Sequence, residues 1–208
     1  MVEAINAVEP TYNVLGFLAD YGGAHEPLKR RTANILGPTS LIDSLDADYV
    51  VAIGDPVARM AVDRQFMLKR RNSPVLIHPA ATVGSDVHLS PGTVVMAGAR
   101  ITTNLVAGRH LHVNVNATIS HDCRFGDYVT ISPGCSISGN VELGDGVYLG
   151  TGCAIIPGVR IGANTMVGAG AVVIRDLPGD VTAVGVPARP LEPNRELKVD
   201  RPARSEGS

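Results

Sequence analysis

A six-residue repeat runs without interruption from Ile77 to Pro178, and no other feature restricts the possible folds of this chain as tightly. The first position of each hexad is Ile77, Val83, Leu89, Val95, Ile101, Ala107, Val113, Ile119, Phe125, Ile131, Ile137, Leu143, Leu149, Ile155, Ile161, Val167 and Val173. All but Ala107 are large and apolar. Apart from Leu105, Leu111 and Leu177, the fifth position is small or β-branched, which suits a narrow interior shared with the bulky first position. The fourth is rich in Gly and Asn (Gly92, Gly98, Asn104, Asn116, Gly134, Asn140, Gly170), residues that tolerate the positive φ of a tight corner. Such a hexapeptide period is the signature of a parallel β-helix, a solenoid of short strands. Three hexads make one triangular coil, and coils stack at roughly 4.8 Å. The pattern leaves the hand open, since right-handed crossovers are the general rule.

Cys123, Cys135 and Cys153 all fall on the small interior position and read as buried thiols acting as small hydrophobes. An odd cysteine count and the lack of a leader-like start point to a reducing cytoplasm. At 208 residues with net charge −2 and few aromatics, the chain suits two small domains and lacks the basic stripe of a nucleic-acid binder. The clusters Lys29-Arg30-Arg31 and Lys69-Arg70-Arg71 read as solvated surface. No apolar run approaches the ~20 residues of a membrane span.

Residues 1–73 follow another rule. Tyr12 to Leu18 and Asp48 to Ile53 read as strands, Pro38 to Leu45 as a short helix, and Pro56 to Arg70 as an amphipathic helix. That alternation implies a small parallel α/β unit, whose ligands would sit beyond the strand ends at Ala19-Asp20 and Gly54-Asp55. Alternatively, Gly54 only permits a tight turn and Asp55 only caps the helix. The solenoid spans 74–190, and residues 191–208, rich in Pro, Arg, Ser and Gly, read as a disordered tail.

One histidine stands out on the repeat. His121 takes the third position of ISHDCR, between interior residues Ile119 and Cys123, so its side chain should point outward. Imidazole titrates near neutral pH and can remove a proton from an attacking amine or hydroxyl, and Asp122 could fix its tautomer. The residues alone equally allow an exposed histidine beside a corner aspartate. His110 and His112 lie two apart, with His78 and His88 upstream, but no trio has the spacing of a β-helical zinc site, so no metal is expected.

Six segments, GFLAD (16–20), AIGDPVAR (52–59), LIHPAATV (76–83), HVNVNATISHDC (112–123), ISPGCSISGNVELGDGVYLGTGCAI (131–155) and VGVPARP (184–190), resemble the NeuD/PglD-type family of sialic acid O-acetyltransferases and sugar-nucleotide N-acetyltransferases. The resemblance covers about Glu3 to Pro190. It implies a left-handed parallel β-helix preceded by a small Rossmann-like α/β domain, acetyl-CoA as co-substrate, a sugar or UDP-amino-sugar acceptor, and a homotrimer. Two departures accompany it. The start MVEAINAVEP resembles the end of the helix that follows the family's first strand and glycine-rich loop, so the α/β domain is expected to be N-terminally shortened. Ala19-Asp20 also stands where the family often has an acidic pair.

Residue by residue, the resemblance makes His121 the general base and Asp122 its enhancer. It places Thr130, Gly139, Thr151 and Ala169 along acetyl-CoA, with the Gly139 N–H at the thioester carbonyl, and Asn114, Asp20 and Gly54 on the acceptor. Gly and Thr are common at such corners, so structural duty stays open for each. Two other functions also stay open: acyl transfer to another small acceptor such as an amino acid, and a non-catalytic trimeric scaffold.

Overall fold

The computed structural model describes residues 1–20, 34–67 and 71–191. The basic residues Lys29, Arg30, Arg31, Lys69 and Arg70 and the tail from Glu192 lie outside the described residues.

The hexads close into a left-handed parallel β-helix with three faces. The first face stacks Leu76–Ile77, Val94–Val95, His112–Val113, Thr130–Ile131, Tyr148–Leu149 and Met166–Val167, and Thr182–Val184 and Arg189–Pro190 extend it. The second face stacks Thr82–Val83, Arg100–Ile101, Thr118–Ile119, Ser136–Ile137, Ala154–Ile155 and Val172–Val173. Val87–Leu89, Leu105–Ala107, Cys123–Phe125, Glu142–Leu143 and Arg160–Ile161 form the third. Register is set by the repeat itself: Thr118 pairs with Arg100 below and Ser136 above, and Ile119 pairs with Ile101 and Ile137.

First- and fifth-position side chains fill the interior. Val95, Val113, Ile131, Leu149 and Val167 form one fully buried row, and each such side chain stabilises the fold by about 1.5–3 kcal/mol. The three cysteines are free and buried, and the Cys153 thiol donates to Cys135 Sγ at 3.6 Å across neighbouring coils. Two interior hydroxyls find carbonyls, Thr93 that of Ser90 and Thr165 that of Pro178.

Every fourth position from Asp86 to Gly170 has a left-handed φ, so the corner rule extends beyond the Gly and Asn sites. His110 (φ 52°) and Tyr128 (φ 58°) adopt it despite their bulk. The rule ends at Asp176, whose carboxylate instead accepts the Arg160 N–H, and the last corner moves to Asp180 (φ 59°).

The α/β unit departs from its expected layout. It begins with α1 (Val2–Asn6). The expected strand from Tyr12 shortens to β1 (Phe17–Leu18), which pairs in parallel with β2 (Ile35–Gly37), a strand that sequence patterning does not identify. Asp48 to Ile53 joins no ladder among the described residues. Burial holds it instead, with Tyr49 and Val51 packed beside Ile42 and Phe66, and the Tyr49 N–H bonds the Asn72 carbonyl. The expected helix at 38–45 is a 3-10 helix, Thr39–Ser44. The last helix is α2 (Pro56–Met67), whose buried stripe is Pro56, Arg59, Asp63 and Phe66. No helix among the described residues is long and apolar enough to cross a membrane.

Candidate active site

Thr118–Ile119 and Cys123–Phe125 deliver His121 and Asp122 to the edge between the second and third faces. Left-handed φ at Asp122 (60°) turns its side chain back beside the preceding ring, a conformation that Asp tolerates better than most residues. His121 Nδ1 lies 2.7 Å from Asp122 Oδ2, and both side chains are about half exposed. The Asn104 amide, one coil below, donates to the other carboxylate oxygen at 2.9 Å. Hydrogen bonds from Asn104 and then His121 hold the Asp122 carboxyl below its ordinary range. An ionised carboxylate only accepts, so Nδ1 carries the proton, and in the neutral imidazole Nε2 keeps a free lone pair.

One coil above, Gly139 sits against the ring. A Cβ there would lie 2.6 Å from His121 Cε1 and 2.7 Å from Nε2. Its φ is not left-handed, so the need for glycine comes from the imidazole and not from the backbone. Among the described residues, no backbone carbonyl accepts the Gly139 N–H.

The other expected site residues lie elsewhere. Asn114, Thr151 and Ala169 stack along the edge between the first and second faces, with Thr151 and Ala169 exposed. The Asn114 amide donates to the Ile131 carbonyl. Within one chain, one full face therefore separates them from His121. Thr130 is 2% exposed on the first face, where its hydroxyl donates to the Gly54 carbonyl at 2.9 Å and accepts from Arg59. Asp20 accepts the Thr39 N–H and hydroxyl, capping the 3-10 helix. Gly54 has ordinary backbone geometry and open space where a Cβ would stand, so no tight turn demands it. Asp55 does cap α2, accepting the Ala58 N–H at 2.8 Å.

Sequence reasoning missed the polar junction between α2 and the first face. Asp63 is fully buried and accepts from Tyr49, from Tyr128 at 2.7 Å and from Arg109 at 3.0 Å. His110 Nε2 lies 2.7 Å from the same carboxylate but is misaligned for a hydrogen bond. Burial alone would raise the Asp63 pKa, yet the Arg109, Tyr49 and Tyr128 donors outweigh it and bring it to about 2. Burial pushes the Tyr128 hydroxyl up to about 12 and the His110 imidazole down. The available signal was the i, i+4 pair Arg59 and Asp63, set at helical spacing with Pro56 and Phe66.

The family model for the bacterial transferase hexapeptide (six repeats) matches residues 140–175. GDP-perosamine N-acetyltransferase from Escherichia coli O157:H7 is 34% identical over 82 residues, which span 39% of this chain and 37% of that enzyme. The acetyltransferase domain of PglB from Neisseria gonorrhoeae FA1090, also solved in complex with acetyl coenzyme A, is 33% identical with a TM-score of 0.81, covering 91% of this chain and 92% of that one. PerB from Caulobacter crescentus, solved in complex with CoA and GDP-perosamine, is 33% identical with a TM-score of 0.74, over 88% of this chain and 100% of that one.

Proposed function

Because this chain belongs to the NeuD/PglD-type family of hexapeptide-repeat sugar acetyltransferases, we propose that it transfers acetyl from acetyl-CoA to the amine of a nucleotide-linked amino sugar. The observation that carries the proposal is the exposed His121–Asp122 pair, with Nδ1 held at 2.7 Å and Nε2 lying beneath Gly139. An amine is favoured over a hydroxyl because the perosamine relatives are N-acetyltransferases by name.

In the proposed reaction the amine nitrogen attacks the thioester carbonyl carbon while Nε2 of His121 takes the nitrogen's proton. Asp122 stabilises the resulting imidazolium. The tetrahedral oxyanion accepts the unpaired Gly139 N–H. The C–S bond then breaks, and the departing thiolate collects the proton from the imidazolium. The direct attack needs no acyl-enzyme, and the three cysteines, sealed inside the solenoid, could not carry one.

The separation of the two edges supports a homotrimer. Side by side, one protomer's His121 edge would face the Asn114, Thr151 and Ala169 edge of its neighbour, and acetyl-CoA would lie between them. Asp20 and Gly54 would meet the nucleotide end of the acceptor.

Thiol release from acetyl-CoA is the test, measured with GDP- and UDP-linked 4-amino sugars, sialic acid and free amino acids. Turnover is expected with a nucleotide amino sugar alone, and His121→Ala should lower it by about 10²–10⁴ with the oligomer intact. Turnover confined to amino acids, or unaltered in the variant, would refute the proposal.

A further inference from the structure

The Arg59 guanidinium is fully buried, and among the described residues no carboxylate hydrogen-bonds to it. Nη1 donates to the carbonyls of Ile53 (2.8 Å) and Gly54 (3.0 Å). Nη2 crosses to the solenoid, donating to the Tyr128 carbonyl at 2.7 Å and to Thr130 Oγ1 at 2.9 Å. The Thr130 hydroxyl passes its own proton back to the Gly54 carbonyl at 2.9 Å. Arg59, Thr130 and Gly54 therefore form a closed ring of hydrogen bonds that joins the loop before α2 to one coil. That coil is the one carrying His121: a single strand, Cys123–Phe125, and one corner separate His121 from Tyr128.

Burying a cation without a carboxylate partner is costly, and an apolar side chain of similar size would be cheaper if packing alone were needed. What the guanidinium adds is direction. It fixes two consecutive carbonyls of the loop and three consecutive residues of the coil at hydrogen-bond distance, so the loop cannot shift against the solenoid without breaking several bonds at once. Gly54 itself does not supply this order, because nothing crowds it.

We infer that Arg59 and Thr130 are positioning residues: they clamp the Ile53–Asp55 loop to the His121 coil and so set the register between the bound acceptor and the general base. Neither touches the reacting atoms. Thr130 thus serves the acceptor side, although the family resemblance places it along acetyl-CoA. The inference rests on the proposed function only in assigning the acceptor to that loop. The clamp sets the loop's height along the solenoid axis whichever protomer of the trimer supplies the histidine.

The test uses Thr130→Val, which keeps the shape and removes the hydroxyl, with Thr130→Ser as the conservative control. With the nucleotide amino sugar that the wild type accepts, kcat/KM for the acceptor should fall about tenfold or more in Thr130→Val, since small misplacements of a reactant are costly. Acetyl-CoA affinity by titration calorimetry should stay within twofold, and Thr130→Ser should recover most of the loss. Equal weakening toward both substrates, or no change toward the acceptor, would overturn the clamp. Hydrogen–deuterium exchange gives a reading independent of activity. Peptides spanning 52–58 should exchange faster in Thr130→Val while those spanning 112–123 do not, and unchanged exchange at 52–58 would overturn the clamp. A wild type that acetylates no nucleotide sugar refutes the proposed function and leaves the exchange result to judge the clamp.

Discussion

Gly139→Ala separates the chemistry of the imidazole from the stability of the coil. The added methyl would sit 2.6 Å from His121 Cε1, 2.7 Å from Nε2 and 3.0 Å from Nδ1, whereas carbon atoms pack at about 3.5–4.0 Å. The ring must therefore retreat by about 1 Å, and its 2.7 Å bond to Asp122 must lengthen or break. A displacement of about 1 Å at a reacting group costs on the order of 10²-fold in rate. Folding should hardly notice. The backbone at Gly139 is not left-handed, and the obstacle is the end of a half-exposed side chain that can swing into solvent, so stability should change by about 0.5 kcal/mol or less. The assay is thiol release at saturating acetyl-CoA and acceptor, paired with thermal unfolding. A double-mutant cycle sharpens it: once His121 is alanine, Gly139→Ala should add almost nothing, because the only thing it displaces has gone. Two results would refute this reasoning. One is a Gly139→Ala enzyme within threefold of wild-type kcat. The other is a further large loss on the His121→Ala background, which would mean that the methyl acts on the thioester or the oxyanion amide and not on the ring.

Two further outcomes concern the junction between the α/β unit and the solenoid. Asp63→Ala should destabilise the protein by about 3–5 kcal/mol, since it strands the buried Tyr49 and Tyr128 donors and the partly buried Arg109; a denaturation midpoint unchanged from wild type would contradict this. Stability should also fall on acidification because of His112. Burial, and then the neighbouring Arg59 and His110 charges, bring its pKa down from 6.5 to about 3. Above 6.5 neither state holds the proton; below it the unfolded chain binds a proton that the folded one refuses. This site therefore costs up to about 1.4 kcal/mol per pH unit between 6.5 and 3. Midpoints of urea unfolding at pH 7.5, 5.5 and 4.5 should trace that slope, and His112→Gln should flatten it; parallel slopes would discount His112.

The solenoid was legible because its environments are local. A residue's place in the hexad decides whether it faces the interior, a corner or solvent, so Cys123, Cys135 and Cys153 could be assigned to the interior and His121 to the outside from phase alone. The outward positions were not legible in the same way. His112 and Thr130 occupy the same hexad position as exposed Arg124 and Glu142, and the docked α/β unit covers His112 in part and buries Thr130. Since that docking is long-range, no window of sequence reports it. The same limit explains β2, a strand of three residues with too little alternation to register, and the Asp48 to Ile53 segment, whose pattern is strand-like although among the described residues it packs on Ile42 and Phe66 and joins no ladder. The proposed assembly of the site across protomer edges lies beyond a single chain's periodicity for a related reason: the repeat states which edge a residue occupies but not which edge it meets.

The corners tie these observations together. Left-handed backbone costs an ordinary side chain about 1–2 kcal/mol, which Gly avoids and Asn or Asp reduces. Between Asp86 and Gly170 this chain departs from Gly, Asn and Asp at the corner position only at His110 and Tyr128. Both of those residues reach Asp63 on α2, so the extra strain falls where the α/β unit docks. Asp122 uses the same conformation for another end. Glycine there would satisfy the corner equally well and asparagine nearly so, but neither would place a negative charge 2.7 Å from Nδ1 of the preceding histidine. A left-handed residue turns its side chain back along the chain, and in a hexad that direction leads from the fourth position to the third. The corner required by the solenoid is thereby also the geometry that orients the imidazole proposed as the base, and a His-Asp pair at positions three and four needs no further scaffold than the repeat.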